Sequence, residues 1–411
     1  MAISMHVTAL ADVSIISQAA IVIDYESGEI LFEKDAHSRR APASMTKNLT
    51  AFIVYEEIAA GNLTLDTMIR VSPNASQISA THDQQLPVFP LRAGSYHSVD
   101  TMLHLIMLPS SNGASVAVAE HISGSESAFA GLMNETGRSL GMYADFGNSH
   151  GALPTFTNAH SMGILVHEFI RRHPDMMRIT EKRSFVMDGH TINNTNLFLH
   201  SNNAHYFPEV DGFKTGTTAL AGHCLSSTAV RDGRRIIVVT MNAPDNAGRY
   251  GDSRRLLNFG FEESARREAN RLSVTIDGEL VVFDVAPRII EGRAMVPMRS
   301  IFEALNANVE WDETTQTVTA RSNDGNVISL LAGSSTIYIN GTPSEIDVPP
   351  QIVESRTMVP TRVVAEALNM NVSWNEETRT VVIESPDHPL KGWSGDFLFR
   401  VKLLKTHYLV A

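Results

Sequence analysis

The chain is short of several things, and each shortage removes a class of explanation. Its 411 residues contain one cysteine, Cys224, so no internal disulfide can form and the redox compartment stays open. Cys224 lies in the strand-like run "AGHCLSSTAV", where a buried, inert thiol is expected. No run of about 18 apolar residues exists, which argues against a transmembrane helix. Basic residues are outnumbered, 33 Lys and Arg against 45 Asp and Glu, for a formal charge of −12. With no basic cluster to offset that balance, nucleic acid is not expected as a partner. Between residues 270 and 385 there is neither histidine nor cysteine, so transition-metal ligation has no support there. Fourteen of the sixteen histidines precede residue 224, yet "HEFIRRH" spaces His167 and His173 six apart. That spacing does not put both imidazoles on one helix face, as the H-E-x-x-H zinc motif requires, and no metal is expected.

What is present is an ordinary globular composition, 43% hydrophobic and 19% charged, in a chain long enough for two or three domains. The opening residues run into Ala9-Leu10-Ala11, which resembles a signal-peptidase site but lacks a basic start. Residues 1–14 read either as the remnant of an export signal or as a frayed end. "AAIVIDYESGEILFEKD" then reads as a β-hairpin around a Ser-Gly turn. From Pro42 to about His173 the periodicity is helical, with Leu49, Phe52, Ile53 and Ala60 on one stripe and Leu103, Ile106 and Met107 on another. "HCLSSTAV" and "RIIVVTMNA" read as two strands around Asp232-Gly233, followed by a helix in "DSRRLLNFGFEESARREANR". Strands from both ends of this segment, with a helical block between them, predict an α+β domain over 15–268 whose antiparallel sheet carries an inserted helical block.

Past residue 270 the texture turns β-rich, and an internal repeat appears at an offset of 63 residues. "RIIEGRAMVPMRSIFEALNANVEWDETTQTVTARS" from Arg288 aligns without a gap to "QIVESRTMVPTRVVAEALNMNVSWNEETRTVVIES" from Gln351. A smaller tandem-repeat domain is therefore expected over 269–386, in units 269–330 and 331–386. Trp311 and Trp374 fall at equivalent positions and are read as core anchors. The tail, 387–411, is open between two readings. Phe397, Val401, Leu404 and Tyr408 would share the face of a basic amphipathic helix, whereas Phe397, Phe399, Val401 and Leu403 alternate as in a strand.

The chemistry concentrates in three places. "APASMTKNLTAF" holds Ser44 and Lys47 three apart at the mouth of an apolar helix. Alone, this is a helix N-cap followed by a surface lysine. A nucleophilic serine needs a base within hydrogen-bond reach, and a helical i, i+3 pair supplies one. The lysine must then lose its proton near neutrality, which burial and a second nearby cation both favour. "MLPSSNGAS" adds Ser110 and Asn112; the pattern is common, since Ser72-Pro73-Asn74 and Ser201-Asn202-Asn203 also fit it. "VDGFKTGTTALAGHC" adds Lys214-Thr215-Gly216, the only K-T-G in the chain. Its lysine could be edge-strand charge, but the glycine beside it would admit a substrate backbone and the threonine hydroxyl would bind a carboxylate.

In this order and on this plan, the three motifs resemble the penicillin-binding and serine β-lactamase superfamily. "LPSSNGASVAVAE", "DGFKTGTTALAGHCL", "GRYGDSRRLLNFGF" and "NSHGAL" narrow the resemblance to the low-molecular-mass D-alanyl-D-alanine carboxypeptidases, over about residues 15–265. The resemblance implies Ser44 as nucleophile, Lys47 as its base and Ser110 as proton relay toward the leaving amine. Asn112 would hold the substrate amide and Lys47. Backbone N–H groups of Ser44 and Thr217 would receive the oxyanion, Lys214 and Thr215 the terminal carboxylate, and Arg249 would assist them. It implies a peptidoglycan stem peptide as substrate, β-lactams as inhibitors, no cofactor, and an exported enzyme at the outer face of the cytoplasmic membrane, in the cell wall or secreted, with peripheral contact to membrane or wall left open. Three residues depart from the family pattern: Gly113 for an acidic residue, Ser161 for an aspartate, and Ser111 for glycine or alanine. The repeats resemble the N-terminal domain of copper amine oxidases, read here as a spacer or wall-facing stalk. Two alternatives stand beside the peptidase: a class A-like β-lactamase, for which no glutamate loop is found over 150–200, and an inactive wall-binding protein.

Overall fold

The computed structural model describes residues 13–84, 90–151, 154–312, 314–315, 317–323, 325–331, 333–353 and 355–386. Most of the proposed signal remnant and all of the 387–411 tail lie outside the described residues. The chain divides into two compact units, with the boundary between Ala265 and Arg266.

In the first unit, β1 (Ala19–Asp24) and β2 (Ile30–Lys34) form the expected hairpin. A 3-10 turn (Ala43–Thr46) leads into α1 (Lys47–Ala59). Then come β3 (Met68–Arg70), α2 (Pro73–His82), β4 (Tyr96–Ser98), α3 (Val99–Met107), α4 (Asn112–Ser123), α5 (Glu126–Ser139), α6 (Ala159–Arg172) and α7 (Met177–Thr180). A small hairpin, β5 (Ser184–Met187) and β6 (His190–Asn193), precedes β7 (Val210–Gly212), β8 (Thr215–Thr218), β9 (Gly222–Arg231), β10 (Arg234–Ala243) and α8 (Asn246–Ala269). The main sheet runs β2-β1-β10-β9-β7 with β8 also on β9, and every pairing is antiparallel.

Alternation along β1 and β10 explains how this sheet sits in the middle. Ile21, Ile23, Ile237 and Val239 belong to one core with Leu49, Phe52, Leu103, Leu165 and Phe169 of the helical block. Their neighbours Ala20, Val22, Ile236 and Val238 belong to a second core with Leu256, Leu257 and Phe261 of α8. The period of two thus buries both faces, which is why β1 reads as a continuous apolar run.

The second unit contains β11 (Ser273–Ile276), β12 (Glu279–Leu280), β13 (Arg288–Ile290), β14 (Arg293–Pro297), α9 (Met298–Ala304), β15 (Asn308–Asp312) and β16 (Thr317–Arg321). These are followed by β17 (Val327–Leu331), β18 (Thr336–Ile339), β19 (Thr342–Glu345), β20 (Gln351–Val353), β21 (Arg356–Pro360), α10 (Thr361–Ala367), β22 (Asn371–Asn375) and β23 (Thr380–Glu384). The repeats interlock. β14 pairs antiparallel with β21: Val296 stands opposite its own repeat equivalent, Val359, on a pseudo-two-fold axis, and Met295 and Pro297 stand opposite Pro360 and Met358. Asp284 pairs with Arg356 and, reciprocally, Asp347 with Arg293. β11 of the first repeat lies beside β23 of the second, and β17 stands between β16 and β18. One core draws Val274, Val296, Ile301 and Val318 from the first repeat and Ile337, Val359, Val364 and Ile383 from the second.

The tryptophans are a correction. Trp311 is 42% exposed and Trp374 37% exposed, at the ends of β15 and β22. Each stands opposite a core valine in the ladder, Val318 or Val381. Repetition here reports the two-fold symmetry rather than burial.

Because Val359 is fully buried at the axis, Val359→Asp places an unpaired carboxylate in the shared core. The expected cost is about 3 kcal/mol or more. Limited proteolysis of the full-length variant should open both repeats together; cuts confined to residues 331–386 would contradict a shared core.

Candidate active site

Three chain segments meet around Lys47. Ser44 lies within the 3-10 turn and caps nothing: Pro42 is the N-cap of that turn, Thr46 that of α1, and neither end has a side-chain cap. The capping reading of Ser44 is therefore wrong, because the extra turn moves it ahead of the α-helix. The turn keeps the i, i+3 contact, and Lys47 Nζ donates to Ser44 Oγ at 3.0 Å. Nζ also donates to Asn112 Oδ1 at 2.6 Å and to the His150 carbonyl at 3.1 Å. These are three acceptors for the three hydrogens of an ammonium. A neutral amine could keep the last two partners and accept the Ser44 proton in place of the first bond. Lys47 is fully buried, and burial pulls its pKa down to about 7 against the opposing charge of Asp83.

Lys214 is buried as well, which removes the edge-charge reading. It follows β7, its N–H donates to the Ser226 carbonyl at 3.0 Å, and its Nζ reaches the Thr215 carbonyl at 3.1 Å. Its pKa is held well below the usual lysine value by burial, then by the charges of Lys47 and Arg249. The second cation is in place, although burial is what depresses Lys47. Arg249, on α8, is also buried. Its Nη1 donates to the Gly216 and Cys224 carbonyls at 3.3 and 3.1 Å and to Thr217 Oγ1 at 3.1 Å, while Nη2 reaches Asn246. Both terminal nitrogens are thus committed to holding β8, β9 and Asn246, so Arg249 offers its charge and the orientation of Thr217. Among the described residues none of these three cations forms an ion pair.

Backbone strain clusters here. Ala43 (φ 48°), Ser110 (φ 73°) and Phe213 (φ 76°) occupy left-handed conformations, and they precede Ser44, precede Ser111 and precede Lys214. Such residues cost on the order of 1–3 kcal/mol each and persist only where their surroundings over-determine them. Ser110 Oγ is buried without a hydrogen-bond partner among the described residues.

Several residues that the motifs did not single out hold the site together. Asp83, just after α2, accepts from Asn112 N–H at 2.8 Å, Gly113 N–H at 3.0 Å and Ser111 Oγ at 2.7 Å. It thereby neutralises the start of α4 and fixes Asn112 toward Lys47. Two of the family departures find their use here, since Ser111 is the α4 N-cap and a Cβ at Gly113 would fall 2.5 Å from Ser79 Cβ and 2.9 Å from the Ala75 carbonyl of α2. Ser161 receives the Tyr143 N–H at 2.8 Å. Thr195 Oγ1 lies 2.7 Å from Thr215 Oγ1 and donates to the Leu108 carbonyl at 3.1 Å, joining β8 to the Ser110 loop. In "NSHGAL", Asn148 Oδ1 accepts from His150 and Gly151 N–H groups, and Gly151 has φ +83°. A Cβ there would fall 2.1 Å from the Ala43 carbonyl, so only glycine lets this loop rest on the Ser44 turn. His150 is kept neutral, its pKa down to about 3 through burial and then the charges of Lys47 and His82. Its 3.4 Å approach to Glu126 is accordingly a contact with a neutral ring rather than an ion pair.

The sequence profile of the D-alanyl-D-alanine carboxypeptidase family matches residues 5–245, more than half of the chain. The chain belongs to that family. A D-alanyl-D-alanine carboxypeptidase of Escherichia coli K12, DacC, is 32% identical over 251 residues, covering 60% of this chain and 62% of its own. The chain thus spans about three fifths of the length of such curated relatives. Among solved structures, a peptidoglycan synthesis regulatory factor (PBP3) from Streptococcus pneumoniae is similar at 29% identity and TM-score 0.56, covering 61% of this chain and 72% of its own. Penicillin-binding protein D2 from Listeria monocytogenes, solved with ampicillin, is similar at 27% identity and TM-score 0.53, over 61% of this chain and 99% of its own. The profile of the copper amine oxidase N-terminal domain matches residues 275–383. Those residues hold no histidine or cysteine, so the donors there do not fit copper. The carboxypeptidase family fits the α+β fold, with its antiparallel sheet and inserted helices, and the second unit is the smaller β-rich one.

Proposed function

We infer that the first unit is a serine-type D-Ala-D-Ala carboxypeptidase acting on peptidoglycan stem peptides and inhibited by β-lactams. One observation carries this: Ser44 Oγ is hydrogen-bonded to a buried lysine, Lys47, and the charge of Lys47 acts on a second buried lysine, Lys214, beside Arg249, with no ion pair to any of the three among the described residues. Such a site in a chain of net charge −12 is built to receive an anion beside a nucleophile.

In this reading Lys47, as the neutral amine, takes the Ser44 proton while Ser44 Oγ attacks the carbonyl between the two terminal D-alanines. The negative oxygen is held by the Ser44 and Thr217 N–H groups, donors worth on the order of 3 kcal/mol each. Lys214 and Thr215 bind the terminal carboxylate, and Asn112 the substrate amide. The C–N bond then breaks, Ser110 passes a proton to the departing amine, and free D-alanine leaves. Water hydrolyses the acyl-enzyme and returns Ser44. Such a substrate places the protein outside the cytoplasmic membrane; among the described residues no helix is long and apolar enough to cross one.

The β-lactamase reading requires a carboxylate that positions the deacylating water. Among the described residues none hydrogen-bonds Ser44 or Lys47, and Asp83 and Glu126 are engaged with α4 and the His150 loop. A long-lived acyl-enzyme is therefore expected. Intact-mass measurement after incubation with benzylpenicillin should show one persistent adduct that maps to Ser44, and a pentapeptide ending in D-Ala-D-Ala should release D-alanine. Fast penicillin turnover would favour the lactamase, and no adduct at all the wall-binding protein.

A further inference from the structure

We propose that Glu33, His37 and His160 form a zinc-class divalent metal site that staples the segment leading to the nucleophile turn onto α6. Glu33 is the penultimate residue of β2, His37 sits in the turn that follows, and His160 lies in the first turn of α6. One ligand atom from each side chain lies within 4.8 Å of the other two. The Glu33 carboxylate stands 3.4 Å from His37 Nε2, and the two imidazole centroids are 4.3 Å apart. A tetrahedral ion with bonds of about 2.0–2.1 Å needs donors roughly 3.4 Å apart, so small side-chain rotations close the set. Two imidazoles and a carboxylate suit zinc and leave one position for water.

The frame is fixed in advance. His160 N–H donates to the Ala36 carbonyl at 3.0 Å and Asn158 Nδ2 to the His37 carbonyl at 3.3 Å. Arg40 and Thr157 exchange backbone hydrogen bonds of 2.7 and 2.9 Å. The nearby cations are turned to other partners. Lys34 Nζ donates to the Ile15 and Ser17 carbonyls, Arg39 pairs with Asp145, and Arg40 Nη1 donates to Gln18. Among the described residues, then, no lysine or arginine pairs with Glu33. The trio is open to solvent, with His37 and Glu33 exposed and His160 half-buried, so an ion can enter. None of the three touches the Lys47 cluster, so the site supports the turn before Ser44 without joining the chemistry. "HEFIRRH" contributes nothing to it, since His167 meets the Tyr25 carbonyl and His173 meets Glu56.

The test uses full-length protein stripped with a chelator and titrated with Zn²⁺ alone. Calorimetry should show one equivalent bound, and Co²⁺ should give a tetrahedral d–d absorption band. His37→Ala, His160→Ala and Glu33→Gln should each weaken binding by about 100-fold or more, as expected for lost ligands. His190→Ala, an exposed histidine elsewhere, should leave it unchanged. At a hundredfold excess over Kd, zinc should raise Tm by roughly 5 °C in the wild type and not in the variants. Equal apo-state melting of wild type and variants would show that they fold alike. Absence of uptake, or uptake that survives in the His37→Ala/His160→Ala pair, would overturn the site.

Discussion

Lys47→Met should slow acylation of Ser44 by benzylpenicillin by about 10³-fold near neutral pH, the range that general-base catalysis supplies. Methionine fills the buried volume but cannot take a proton. The stronger discriminant is the pH profile. In the proposed reaction the base is the neutral amine of Lys47, whose pKa burial pulls down to about 7. In the wild type the acylation rate should therefore climb about tenfold per pH unit below that point and level off above it. In Lys47→Met the residual rate should lose this rise. Stopped-flow or quenched mass measurements between pH 5 and 9 read both curves. A wild-type rate that is flat through this range would remove Lys47 as the base.

Gly216→Val should have the next largest effect, a loss of about 10²-fold or more in acylation by any acyl donor, small ones included. The sequence reading gave this glycine to the substrate. In the structure its open side faces the Ser44 turn, and a Cβ would fall 2.6 Å from the Pro42 carbonyl and 3.1 Å from the Ser44 and Met45 nitrogens. All three are backbone atoms and none can rotate away. The side chain would push β8 off the turn, separating the Ser44 N–H from the strand that carries Thr217. If the glycine served only to admit substrate, KM would rise for stem peptides while small acyl donors still reacted at the wild-type rate. Uniform slowing across donors is the expected outcome.

Much of the site was legible because it rests on residue types with few substitutes. A hydroxyl beside a lysine and a unique K-T-G each state a chemical requirement in the sequence itself. The sheet was legible for a similar reason, since β1, β9 and β10 are apolar runs bounded by turn residues. What stayed hidden are the residues whose work depends on where the chain folds back. Asp83 sits in "THDQQ", an unremarkable helix end, and matters only because α4 starts beside it. Thr195 is one threonine in "TINNTN", with no pattern to mark it. The error at Ser44 had a local cause: a serine before an apolar helix is usually a cap, and periodicity does not separate a 3-10 turn from the first α-turn. The error at the tryptophans arose because equivalence between repeats was read as burial.

The interlocked repeats carry a consequence for parity. Each repeat places its β14-type strand at the axis and lends edge strands to sheets that the other completes, so neither closes its own hydrogen-bond ladders. Half of this unit would be an unfinished object with exposed backbone donors and acceptors. A chain carrying a single repeat would have to find the missing half in a second chain, as a strand-exchanged homodimer. The second unit has the connectivity of that homodimer written into one polypeptide, with β17 joining β16 of one half to β18 of the other.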